Sequence, residues 1–213
     1  QTVTCARSAA ITAGQSVTLN PGNGADAINL GSTTDAAANT LELSDAELDR
    51  ITTGTLRIGS MSAGAITISA TIDTANAATL HLITGAGISQ QSFANLIETN
   101  LAVETVGELT LNQGGNDADN LALRSTTGFT SFGDADGFTI ADVDGVAGVF
   151  SSNGLGLQAL TGNVTVTDTS ATNDVDSNDG TLAFTLNGNN ATLTVDSGAV
   201  LANLGLGGGV ALN

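Results

Sequence analysis

The chain has 213 residues, of which 21 are acidic and four are basic, all arginine, for a net charge of −17. Without lysine, tryptophan or tyrosine it lacks the basic footprint and stacking rings of a nucleic-acid binder, the polybasic patch of a membrane-surface protein, and the lysine of an isopeptide cross-link. Hydrophobic residues make up 41%, mostly Ala, Leu, Val and Ile, and charged residues only 12%; that is enough for a core of small and branched side chains and unlike the composition of a disordered chain.

In chain order, the first stretch, "QTVTCARSAAITAG", is strand-forming and holds the single cysteine, Cys5, so no intrachain disulfide can form. Short apolar–any–apolar triplets follow: "VTL" at 17–19, "INL" at 28–30 and "LEL" at 41–43. Period-two alternation of this kind predicts very short strands with one face inward. The segment 44–51 interrupts them. Ser44 with Glu47 three residues on is the capping-box pattern, and Leu48 and Ile51 stand at helical spacing. It predicts one helical turn at a corner between "LEL" and "TLRI", with Leu48 and Ile51 tucked inward.

Triplets resume with "LRI" at 56–58, "ITI" at 66–68 and "LHL" at 80–82. In "LHL" the only histidine, His81, is predicted to point outward as a surface residue. A second helical turn or insertion is predicted near 89–106, where Phe93, Leu96 and Ile97 have helical spacing. Further triplets run on: "LTL" (109–111), "LAL" (121–123), "FTI" (138–140), "VTV" (164–166) and "LTV" (193–195). The end, "VLANLGLGGGVALN", is apolar, glycine-rich and strand-like.

Alternate triplets recur at intervals of 24 (17 to 41), 25 (41 to 66) and 24 (56 to 80). A repeat of that length, with about two short strands per period, suits one rung of a parallel β-solenoid whose like side chains stack in ladders. The competing β-sandwich normally carries longer strands, core aromatics and edge prolines. The expected fold is therefore all-β, a parallel β-helix forming one domain over 1–213. No apolar run is long enough to cross a bilayer.

"LSDAELDRITTGTLRIGSMSAGAITISATID", followed by "LHLITGAGIS", resembles the repeat regions of filamentous-haemagglutinin-type exoproteins, the β-helical passengers of two-partner and autotransporter secretion. "GFTIADVDGVAGVFSSNGLGLQALTGNVTV" (137–166) resembles them too. The resemblance implies a right-handed helix, a secreted or bacterial cell-surface location, and roles in adhesion, aggregation or filament building.

Candidate chemistry is sparse. "GDADGFTIADVDG" places Asp134, Asp136, Asp142 and Asp144 close in sequence, a candidate calcium site, although the EF-hand spacing puts Phe132 and Val143 at ligand positions. "GGNDADNLA" (114–122), with Asp117 where a glycine belongs, is a single imperfect calcium nonapeptide, and "TNDVDSNDG" adds Asp174, Asp176 and Asp179. One histidine and one distant cysteine leave no nucleophile–base pair. A carboxylate-pair glycosidase or lyase would lack the tryptophan, tyrosine and lysine that commonly hold sugar in such sites. The chain is therefore read as a non-enzyme with no cofactor.

Neither end carries an evident cap. Open rungs template further pairing. The expected role is a segment of a longer β-helix or a filament subunit self-associating end to end, with Cys5, Leu204, Leu206, Val210 and Leu212 at the end contacts. An adhesin module whose loops, 89–106 or 172–180, bind a glycan or cell surface is the alternative.

Overall fold

The computed structural model is a parallel β-solenoid of about five turns with almost no helix. It describes residues 10–172, 174–177, 182–186, 192–195, 197–198 and 200–202. Cys5, Asp179, Leu204, Leu206, Val210 and Leu212 lie outside the described residues.

Two parallel sheets face each other across the core. The first stacks Ser16–Leu19, Ile51–Ser60, Ala77–Thr84, Leu96–Thr105 and Asp117–Ser125. From there each rung splits into two short strands, Phe138–Ile140 with Val149–Ser151, then Val164–Val166 with Val175–Ser177. The second sheet stacks Thr40–Leu43, Ala27–Leu30, Ile66–Ile68, Ile88–Gln90, Leu109–Leu111, Thr130–Asp134, Leu155–Ala159 and Leu182–Leu186.

The predicted ladders are the core. Leu56, Leu80, Leu101, Leu121, Ile140 and Val166 form one rank of register partners, and Ile58, Leu82, Val103, Leu123, Val149 and Val175 the next. All twelve are buried. Strands of the second sheet run three to five residues, as the triplets predict, whereas in the first sheet Ile51–Ser60, Ala77–Thr84, Leu96–Thr105 and Asp117–Ser125 run eight to ten. Three of the six phenylalanines also point in. Phe132 and Phe138 meet edge to face, 5.4 Å between centroids, and Phe184 is buried beyond them.

A polar ladder closes each long strand. Thr84, Thr105, Ser125 and Ser151 are register partners and fully buried. Each hydroxyl donates to carbonyls of the adjoining turns: Thr84 to Gly64 at 2.6 Å, Ser125 to Gly107 at 2.7 Å, Ser151 to Gly154 at 2.7 Å, and Thr105 to Ala86. These corner carbonyls are thereby paired.

Segment 44–51 behaves as predicted, with a refinement. Asp45–Leu48 is a single helical turn, and Glu47 accepts from the Ser44 N–H at 2.9 Å and hydroxyl at 2.7 Å. Leu48 and Ile51 are buried. The preceding strand, Thr40–Leu43, does not advance along the axis. It doubles back and pairs outside Ala27–Leu30, as the outermost strand of the second sheet. The 17–41–66 interval therefore does not join stacked positions: Val17 is the partner of Leu56, and Leu41 of Ile28. The 56-to-80 interval does join partners.

The helical reading of 89–106 is wrong. That stretch holds the end of Ile88–Gln90, a tight turn, and the ten-residue strand Leu96–Thr105. Leu96 is inward at 0% exposure and Phe93 is at the turn tip, 90% exposed. The i, i+3, i+4 spacing was a coincidence of a turn followed by alternation, and tertiary pairing on both sides of the strand decides it.

Candidate functional site

Between Phe138–Ile140 and Val149–Ser151 the chain leaves the rung as a hairpin, Asp142–Val143 paired antiparallel with Val146–Ala147. Asp144 and Gly145 form its two-residue turn, both with positive φ (48° and 85°), as a primed hairpin turn requires. The hairpin lies back over the outer face of the first sheet. Val143 and Val146 cover Ala102 and Ala122 in a small second apolar cluster. Ala102 and Ala122 stand in the outward rank that runs from Thr18 through Arg57 and His81, and their small side chains leave room for it.

The turn carries Asp144 onto Arg57 and His81 of that rank. Arg57 donates from Nε to Asp144 Oδ2 at 2.7 Å and from Nη2 to Oδ1 at 2.5 Å. His81 Nδ1 lies 2.7 Å from Asp144 Oδ2 and, facing an ionised carboxylate, donates to it. Its Nε2 is buried without a hydrogen bond and lies 3.4 Å from Glu104 Oε1. Burial pushes the Asp144 carboxyl up, but the hydrogen bonds from Arg57 and His81 outweigh it and hold it below the usual range. The bond to Asp144 raises Arg57 in turn. His81 does point away from the core, as the alternation predicted, yet it is only 3% exposed because the hairpin covers it. Arg57 and His81 thus tie the tip of the hairpin to the sheet through Asp144, and the arrangement works as a clasp.

The other candidate carboxylates are scattered. Asp134 is fully buried and accepts from the N–H groups of Ala118 (2.9 Å), Asp136 (3.1 Å) and Gly137 (2.8 Å); burial pushes it up to about 6. Asp136 is exposed at the next corner. Asp142 accepts from the Ser170 N–H at 3.0 Å. Asp144 is engaged by Arg57 and His81. The structure does not bring the four together, and among the described residues no three His, Cys, Asp or Glu gather as metal ligands. Asp174 accepts from Thr169 and Val200 N–H groups, so it closes its own loop.

One carboxylate group was not anticipated. A groove of about 270 Å³ on the first sheet is lined by Asp73, Glu98, Asp117 and Asp119 among others. Glu98 is 6% exposed and accepts from the N–H (3.2 Å) and hydroxyl (2.6 Å) of Thr74. Burial pushes it up to about 8 against those bonds. A carboxyl that keeps its proton beside other carboxyls is the outline of acid–base chemistry, but the lining offers no ring and no cation to seat a sugar. The groove is assembled by register, Asp73 and Asp117 both partnering Ile97, which sequence spacing does not reveal. The hairpin did have a local signal: Asp-Gly between valines in "DVDGVA".

No protein-family model, no curated protein and no solved structure matches the chain.

Proposed function

We propose that this chain is a structural element of a bacterial surface filament or stalk, secreted and extracellular, acting as a rigid segment or subunit that stacks end to end. The observation that carries this reading is the described N-terminal end of the solenoid. Among the described residues, strands Ile11–Thr12 and Ser16–Leu19 pair on one side only, with Ile51–Ser60, and Thr40–Leu43 is outermost in the other sheet. Between them lies a cavity of about 520 Å³ lined by Leu19, Leu41, Leu43, Leu48 and Ile51 among others. Edge hydrogen-bonding groups beside these leucines and Ile51 suit pairing with one more rung, and Asp26, Asp35, Glu42, Glu47 and Arg50 line the same mouth. The resemblance of 44–73 and 137–166 to filamentous-haemagglutinin-type repeats supports the same setting, and the net charge of −17 disfavours side-by-side aggregation.

Electron microscopy with sedimentation velocity tests the subunit form: rods of one width that lengthen with concentration are expected. A tandem fusion of two copies tests the segment form, with one unbroken rod of doubled length expected. Monomers at every concentration, together with two flexibly joined bodies in the fusion, refute both.

A further inference from the structure

The outer face of the second sheet differs from the rest of the surface. Its central outward rank is Thr67, Ser89, Thr110, Ser131 and Gly156, register partners on successive rungs. Segments 61–71, 85–95 and 152–163 contain no charged residue in a chain of 21 acids. In the two intervening rungs, Asp134 points inward at 0% exposure, Glu108 is bonded to the Thr110 hydroxyl at 3.3 Å beside the rank, and Asp136 is exposed at the corner leaving it.

Large apolar side chains stand exposed along both rims. Met61 (48%) and Phe129 (40%) lie at the corners entering these strands, and Phe93 (90%) and Leu160 (38%) at the corners leaving them. The Phe129 ring lies over the face itself: a β-carbon on Gly156 would sit 3.6 Å from its Cζ. Phe93 is held in place from two neighbouring rungs. Its φ is 64°, a conformation rarely taken by bulky residues. Its N–H donates to Gln113 Oε1 at 3.2 Å, and its carbonyl accepts from the Thr71 hydroxyl at 3.3 Å. A ring so exposed contributes almost nothing to folding, and its backbone conformation is unfavourable, so a stability role does not account for it.

We propose that this face binds a neutral polysaccharide, with Phe93 and Phe129 stacking on the apolar C–H faces of sugar rings and the hydroxyl rank meeting their hydroxyl groups. A hydroxyl rank that itself carries no charge, with exposed rings at its rims, complements a chain that has hydroxyls and apolar faces but no ionic group. An anionic glycan would be repelled by the protein's overall field. The proposal does not rest on axial stacking and stands if that reading fails.

The test is co-sedimentation of the full chain with insoluble cellulose, chitin and β-1,3-glucan, and affinity electrophoresis in soluble mannan and starch. Retention by at least one, little changed by salt, is expected. Phe93→Ala and Phe129→Ala should each weaken it about threefold to tenfold and leave the melting temperature of the Phe93 variant unchanged. Ile97→Ala, an exposed apolar residue on the other sheet, should bind as the parent does. No retention by any of the five overturns the proposal. So does retention equal in all variants, or pelleting of the chain to the same extent without polysaccharide, which would mark the face as a contact between copies.

Discussion

The clasp at Asp144 can be dissected by Asp144→Asn, which keeps the shape of the turn and removes the charge. Asp144 is 12% exposed at its side chain, His81 4% and Arg57 34%. Breaking a fully buried ion pair costs about 3–5 kcal/mol. A third of Arg57 remains in water, and asparagine retains one acceptor, so the expected loss is about 2 kcal/mol. That loss falls on hairpin opening, because the rungs beneath keep their own ladders. An opening equilibrium shifted by 2 kcal/mol is about 30-fold. Amide exchange across 142–147 should therefore accelerate about 30-fold, while exchange in Leu101–Val103 and Leu121–Leu123 changes far less. A cycle with Arg57→Gln should return a coupling of about 1–2 kcal/mol. Exchange within twofold of the parent, or coupling below about 0.3 kcal/mol, would show that the valines alone hold the hairpin and that the ion cluster is incidental.

Glu98 is raised from 4.5 to about 8, so between those values the folded chain holds a proton that the unfolded chain has released. Its contribution to stability is then fully present below pH 4.5 and is lost as pH rises through 8, by several kcal/mol at most. Denaturant titrations at pH 5, 7 and 9 should show this decline, and Glu98→Gln should flatten it; a variant with the parent's slope refutes the assignment. Asp134, raised from 3.8 to about 6, adds a decline of the same sign over its own, more acidic window. Ser125→Ala removes the donor to Gly107 and the acceptor for the Gly128 N–H at 3.1 Å. It leaves a part-buried amide unpaired, at a cost of about 1 kcal/mol. A lowered melting temperature checks it, and an unchanged one would mean that the hydroxyl ladder is replaceable by packing.

Much of the scaffold is legible because stacking repeats one decision many times. Leu80 and Leu82 are inward for the same reason as Leu101 and Val103, and a reader needs only the alternation. The helical turn at 45–48 is legible because its signal, Ser44 with Glu47, is local. Register is not. The pairing of Thr40–Leu43 back onto Ala27–Leu30 is decided by which edge of a sheet is free, and no spacing in "LEL" announces it. The same holds for the polar cluster: Arg57, His81 and Asp144 are separated by 87 and 63 residues in their contacts and meet only because a hairpin crosses two rungs. His81 showed the limit plainly, since alternation gives the direction of a side chain from its own sheet but not what later covers it.

Parallel in-register stacking also constrains where 21 acids can stand. Neighbouring positions in a rank are about 4.8 Å apart. Two carboxylates at that distance repel by about 1–3 kcal/mol, depending on exposure. The first sheet interrupts them. Ile97, 37% exposed, separates Asp73 from Asp117 in one rank. Glu104 stands beside Arg124, whose guanidinium lies 5.5 Å over Phe150, and Asp176 follows that ring. An exposed isoleucine that would otherwise be unexplained is thus a spacer. The same rule bears on the open end. The outermost strand there, Ser16–Leu19, carries no acid, and Glu42 in Thr40–Leu43 is 9% exposed and tied to Ser32 and to the Ala37 N–H. A further rung laid on this end would meet hydrogen-bonding edges and leucines, and also Asp26, Asp35 and Glu47 around the mouth, so the proposed axial stacking should strengthen as added salt screens them.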